Sequence, residues 1–200
     1  MSIVSNISPL APKNFPIMHS ISGVRFATAN AGIKSGDSED ATLILLEPKT
    51  VIAGLFTSSM TRSAPVIDCQ NKIGINVENT GAAIIVNSGN ANAFTGRHGE
   101  LAVREIIAEL STRVQIPVER IFSSSTGVIG ELLEYQKILN VFDYLVDSLH
   151  VSKIENAARA IMTTDTFPKG SSVKVRSSGG KITISGIAKG SGMIAPNMGT

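Results

Sequence analysis

This 200-residue chain reads as a mixed α/β fold, and three features carry the prediction. Short runs of branched and apolar residues, at 41–47, 51–57 and 81–88, have the length and composition of strands. From Glu100 the apolar spacing changes to that of a helix. Near residues 173–184, strict alternation on either side of a Gly-Gly turn marks a hairpin. A chain of this length can bury roughly 70 % of its unfolded surface, so it needs no covalent staples.

The elements follow in order. Pro9, Pro12 and Pro16 favour an extended arm over residues 1–20. The runs 41–47 and 51–57 flank Pro48-Lys49-Thr50 and are expected as adjacent strands joined by a short turn. Residues 81–88 (GAAIIVNS) are apolar on both faces, which suits a central buried strand emptying into the Asn-rich loop 87–92. Leu101, Ile106, Ile107, Leu110 and Val114 share one helical face. Ile121 and Phe122 read as the close of a short strand before Ser123-Ser124-Ser125-Thr126-Gly127. A second long helical stretch is expected over 131–149. A third helix has a capping box, with Ser152 at the N-cap and Glu155 three residues on. Val173 to Arg176 and Ile182 to Ile184 form the hairpin, and the tail from Ala188 is rich in Gly, Ser and Met.

Composition excludes several classes of function. Eighteen basic residues stand against 16 acidic ones, aromatics are 4 % and Trp is absent. There is neither a basic stripe nor a stacking platform, so no nucleic-acid partner is expected. Charged residues are 17 %, below the roughly 25 % of ordinary domains, which predicts some surface buried against a partner. The longest apolar runs fall far short of the ~20 residues of a membrane helix. The opening residues lack the pattern of a secretory signal. The single cysteine, Cys69, allows no intrachain disulfide and is expected as a small, half-buried thiol in a soluble intracellular chain.

Three loops of small residues carry candidate chemistry: 87–96 (NSGNANAFTG), 123–127 (SSSTG) and 189–193 (KGSGM). Such residues are ordinary turn and cap formers. Thr126-Gly127 has a second reading. Unpaired N–H groups at a helix start can stabilise a developing oxyanion, and a glycine lets a carbonyl approach the backbone. The run 190–195 (GSGMIA) matches G-x-G-x-x-A, but Pro196 and Asn197 stand where a phosphate-binding helix would run. Gly180-Lys181 is followed by Ile182, so no P-loop exists there. His19, His98 and His150 lack ligand spacing, and no metal is expected. The apolar ending GMIAPNMGT suggests a chain continuing into, or cut from, a larger body. A threonine freed there would carry its own α-amine, whose pKa of about 7.7–8.0 makes it a general base.

These motifs stand together. IIVNSGNANAFTG, IFSSSTGVIG, IMTTDTFPK and IAKGSGMIAPNMGT occur in the order and spacing of the bifunctional ornithine acetyltransferase (glutamate N-acetyltransferase) family of arginine biosynthesis. The chain resembles that family from GVRFATANAGIKSGDSEDATLILL to Thr200. The resemblance implies a layered α-β-β-α architecture, completed by a β chain from the same precursor. It also implies self-cleavage before the threonine of a PNM-x-T motif, between Gly199 and Thr200. Residues 1–200 would then be one α-chain domain: an arm at 1–20, a mixed α/β body at 21–199 and a segment at 188–200 leading to the cut. An α2β2 heterotetramer in the cytoplasm, or in mitochondria or plastids of a eukaryote, is implied likewise.

Position by position, the resemblance assigns Thr126 and Gly127 to the oxyanion hole. Thr163, in MTTD, and Lys189, in AKG, match substrate-binding positions. Thr200 matches the nucleophile, which also contacts substrate. The implied reaction moves an acetyl group from N-acetylornithine to glutamate through an acetyl-threonine enzyme, with no resident cofactor; some members also accept acetyl-CoA as donor. Two departures stand out: Gly199 replaces the commoner Ala, and Phe94 occupies a loop position often held by Cys. A chain processed before Thr200 would end at Gly199, one residue short of this sequence. Two other readings fit the same residues. One is a non-catalytic paralogue binding a small acidic ligand; the other is a self-cleaving, aminopeptidase-like hydrolase.

Overall fold

The computed structural model describes residues 7–75, 77–192 and 195–199. Strands β1 (Val24–Ala29), β2 (Ala41–Leu46), β3 (Ala82–Asn90) and β4 (Ile121–Val128) form one sheet in that order. The first two pairings are antiparallel and β3–β4 is parallel. A parallel pair needs a crossover, and helix α2 (Gly96–Val114) supplies it.

The two-residue period of the strands divides the core. Ala27, Ala29, Ala41 and Leu43 point to the main cluster, where Val103, Ile106, Ile107 and Leu110 of α2 meet them. The same cluster takes in α3 (Tyr135–Leu139) and α4 (Phe142–Asp147) through Ile138, Phe142 and Leu145. Phe26 points the other way, onto Ile154 and Ala157 of α5 (Ile154–Ala160), with Val24, Ile44 and Ile187 packed around them. Helices therefore cover both faces. Helix α1 (Ala64–Lys72) lies against β4 and α2. A separate hairpin, β5 (Lys169–Ser177) and β6 (Gly180–Ala188), pairs Val173 with Ile184 and Val175 with Ile182. All four side chains are exposed.

Several expectations need correction. Residues 51–57 form no strand: both edges of β2 are already occupied, by β1 and β3. Val51 and Leu55 are 89 % and 68 % exposed, and Thr57 makes only a lone bridge to Met198. Helix α2 starts four residues earlier than Glu100. The stretch 131–149 is two short helices, interrupted at Asn140-Val141. The capping box does not form. Lys153 holds the N-cap position of α5 without a side-chain cap, while Ser152 Oγ meets His150 Nδ1 at 2.8 Å. Glu155 instead pairs with Arg159 one turn on. Cys69 is buried, not half-buried, and its thiol donates to Ser123 O at 3.2 Å. Burial pushes that thiol above its usual pKa.

Most consequential for the site, β3 runs on through Asn90 and β4 through Val128. Residues 87–90 and 123–127, read as loop, are strand, because each run pairs with the other in register up to Gly89 and Gly127, while 91–95 remain loop. Thr126-Gly127 thus ends a strand and does not begin a helix. No described helix is long and apolar enough to cross a membrane. The first six residues of the expected arm, Met193 of the KGSGM loop and Thr200 lie outside the described residues.

Candidate active site

Three of the residues singled out by sequence meet at one ammonium. Lys189, just beyond β6, donates from Nζ to Thr126 Oγ1 and to Thr163 Oγ1, each at 2.7 Å. Thr126 comes from the end of β4 and Thr163 from the segment after α5. All three are half-buried. A lysine can only donate, so both hydroxyls accept from it and each keeps its own proton free for another oxygen. One cation with two O–H donors still free suits a carboxylate or an oxyanion.

The strand ends are shaped for this arrangement. Gly127 sits at φ +138°, and a Cβ there would fall 2.2 Å from the carbonyl carbon of Gly89. Only glycine fits such a crossing of backbones. Beside it the pairing slips at a bulge around Asn90. Asparagine side chains take up the polar groups this exposes. Asn87 Nδ2 donates to Asn90 O at 2.9 Å, and Ser125 Oγ donates to Asn87 Oδ1 at 2.6 Å. Asn92 N donates to Asn90 Oδ1 at 2.7 Å, and Asn92 Nδ2 to Gly99 O at 3.0 Å. The Asn-rich run is therefore the scaffold of the site. Phe94 is 70 % exposed with φ +57°.

Asp165, which sequence reasoning passed over, joins the two loops. Its Oδ1 accepts from Gly190 N and from Lys169 Nζ, each at 2.6 Å, and Oδ2 accepts from Thr163 N at 3.3 Å. Burial alone would raise its pKa. The Lys169 ammonium and these N–H donors outweigh that and hold the carboxyl below the usual carboxylate range. The available signal was an acid four residues before a lysine in a motif already in view. Spacing of this kind describes a surface pair equally well.

Gly199 N donates to Phe56 O at 2.8 Å, and Asn197 O accepts from Ser58 N at 2.8 Å. The segment before residue 200 is thus laid along residues 56–58. The structure brings Thr126, Thr163 and Lys189 together, Gly127 adjoins Thr126, and Gly199 belongs to this separate pairing. Thr200 is not among the described residues.

Fold and motifs together define an α/β protein of the ArgJ type. The model of the ArgJ family matches residues 25–200, and the chain belongs to that family. It is 50 % identical over 200 residues to the arginine biosynthesis bifunctional protein ArgJ of Ruegeria pomeroyi, covering all of this chain and 49 % of that protein. Its identity to the ArgJ of Bartonella quintana is 44 %, covering 97 % and 46 % of the two chains. The chain therefore spans about half the length of the curated relatives it matches. Among solved structures, ArgJ of Bacillus halodurans superposes with a TM-score of 0.81 at 32 % identity, covering 89 % of this chain and 92 % of that one. Ornithine acetyltransferase of Mycobacterium tuberculosis, solved with ornithine, gives 0.80 at 32 % identity, covering 89 % and 93 %. The mixed α/β architecture is that of these proteins.

Proposed function

We propose that residues 1–200 belong to an enzyme that transfers an acetyl group from N-acetylornithine to glutamate. The observation that carries this reading is the Lys189 ammonium shared between the hydroxyls of Thr126 and Thr163. In the first half-reaction the Thr200 hydroxyl attacks the acetyl carbonyl, and its proton passes by way of the α-amine to the departing ornithine nitrogen. The C–N bond breaks and an acetyl ester forms. In the second, the glutamate amine attacks that ester, the C–O bond breaks and the threonine regains its proton. Each half passes through a tetrahedral oxyanion. The Thr126 hydroxyl, polarised by Lys189, and the Gly127 backbone stabilise it, while Thr163 and Lys189 orient the substrate.

For Thr200 to carry a free α-amine, the bond after Gly199 must be cut, and we read the chain as the α portion of a self-cleaving precursor. On this reading residues 1–200 form one domain, with the β portion completing the pocket in an α2β2 assembly. The half-length match to the relatives supports a second portion. So does the exposed apolar face of Val173, Val175, Ile182 and Ile184, a surface of the kind that another chain covers. The relatives are called bifunctional, which supports a second activity, and acetyl-CoA as an alternative donor fits it. One buried thiol without a disulfide partner suits the cytoplasm.

The test is an intact mass spectrum of the full-length gene product, with and without N-acetylornithine. The reading expects two masses that divide before Thr200, and one acetyl on the fragment beginning with threonine. A single uncleaved mass without an adduct would return the choice to a binding paralogue. Cleavage without an acetyl adduct, together with peptide hydrolysis, would favour the aminopeptidase-like alternative.

A further inference from the structure

We propose that Lys34 is a positioning residue of this site, its ammonium and its stem together setting where Thr163 and Gly127 stand. The inference rests on the acetyl-transfer reading above. Lys34 Nζ donates to Met162 O at 3.1 Å, immediately before Thr163, and to Ala160 O at 3.2 Å, at the end of α5. Carbonyls at a helix C-terminus lack intrahelical donors and favour a cation. The buried Ser88 Oγ donates to the same Ala160 carbonyl at 2.5 Å, which ties that carbonyl to β3.

The stem of Lys34 does separate work. A Cβ on Gly89 would lie 2.9 Å from Lys34 Cγ, so the stem rests directly on that glycine. Gly127 crosses the backbone of Gly89 in turn. One side chain thus touches both Gly89, the β3 glycine whose backbone Gly127 crosses, and the segment that presents Thr163.

Its own position is set from the backbone. Lys34 N donates to Asp40 Oδ2 at 2.8 Å. The buried Asp40 carboxylate also accepts from Ala31 N at 2.7 Å and Ile33 N at 2.6 Å, and Asp40 O accepts from Ser88 N at 2.8 Å. The loop from β1 to β2 is thereby hooked onto β3. Burial lowers the Lys34 pKa from the ordinary lysine value; Asp40 and Glu39 oppose this, and the charge of Lys189 adds to it. Lys34 and Lys189 bind adjacent residues, Met162 and Thr163.

The test is steady-state kinetics on the full-length, matured enzyme with N-acetylornithine and glutamate, for wild type, K34M and K34R, alongside thermal unfolding. K34M is expected to lower kcat about 100-fold while KM for both substrates stays within about threefold, the pattern of misplaced reacting groups. K34R, which restores donors to both carbonyls, is expected to recover most of the loss. A K34M enzyme that melts earlier yet keeps wild-type kcat well below its Tm would make Lys34 a mere staple of α5 and overturn the proposal. KM raised equally in K34R and K34M, with kcat intact, would overturn it too. Should K34M fail to fold or mature, K34Q, whose amide can reach one carbonyl, is held to the same two outcomes. A wild-type enzyme without acetyl transfer would sink the functional reading itself, and this inference with it.

Discussion

The carboxylate of Asp165 accepts a hydrogen bond from the backbone N–H of Gly190 at 2.6 Å, although 25 residues and a whole hairpin separate them. That contact fixes the residue next to Lys189 to the residue two places from Thr163. The ammonium can reach both hydroxyls at 2.7 Å because the two loops share this one acid.

Removing the acid should therefore loosen the site and change its response to pH. The folded pKa of Asp165 lies below its unfolded value of about 3.8. Its stabilising contribution is present above that value and is lost as pH falls through the folded pKa. Asp165→Asn is expected to cost about 1–3 kcal/mol at pH 7. Its stability should also fall less steeply than that of wild type below about pH 4. Urea unfolding at pH 7, 5 and 3 checks both statements; equal slopes for the two proteins would count against them.

Lys189 gives a prediction of the opposite kind, on activity more than on folding. Lys189→Met keeps much of the stem and removes the donor to Thr126 and Thr163. Acetyl transfer by the full-length enzyme is expected to fall about 100- to 1,000-fold, as for loss of one oxyanion-hole donor. The group is half-buried and loses two hydroxyl contacts, so the change in stability should stay near about 1 kcal/mol. Near-wild-type kcat/KM would remove Lys189 from the site.

Gly127→Ala tests the crossing of β3 and β4. A methyl group there meets backbone, not a movable side chain, at 2.2 Å, and φ +138° disfavours any L residue. The expected loss is at least about 2–3 kcal/mol, read by denaturant unfolding, together with loss of transfer activity. Gly130→Ala is the comparison, with positive φ but open space around the new methyl. If both variants lose the same stability, backbone conformation and not the crossing is what matters at Gly127.

Much of the fold was legible in the chain because local periodicity reports burial directly. The apolar run at 81–88 became β3, the helical face from Leu101 became α2, and the alternation about Gly179-Gly180 became the β5–β6 hairpin. Where residue type was read without its neighbours, the reading failed. Val51 and Ile52 have branched side chains, yet β2 had no free edge to offer them. Ser123, Ser124 and Ser125 look like a loop, yet parallel pairing with β3 draws them into β4.

The order and identity of four motifs determined the family by themselves, and with it Thr126, Gly127, Thr163 and Lys189 as residues to watch. Tertiary structure alone decided that the two threonines and the lysine share one hydrogen-bonded centre, that Asp165 and Lys34 hold it in place, and that Asn87, Asn90 and Asn92 are its scaffold. The reason is geometric. Hydropathy along a chain encodes which residues leave water, whereas contacts between segments 25 to 128 residues apart depend on how strands and helices stack. No local pattern records that distance.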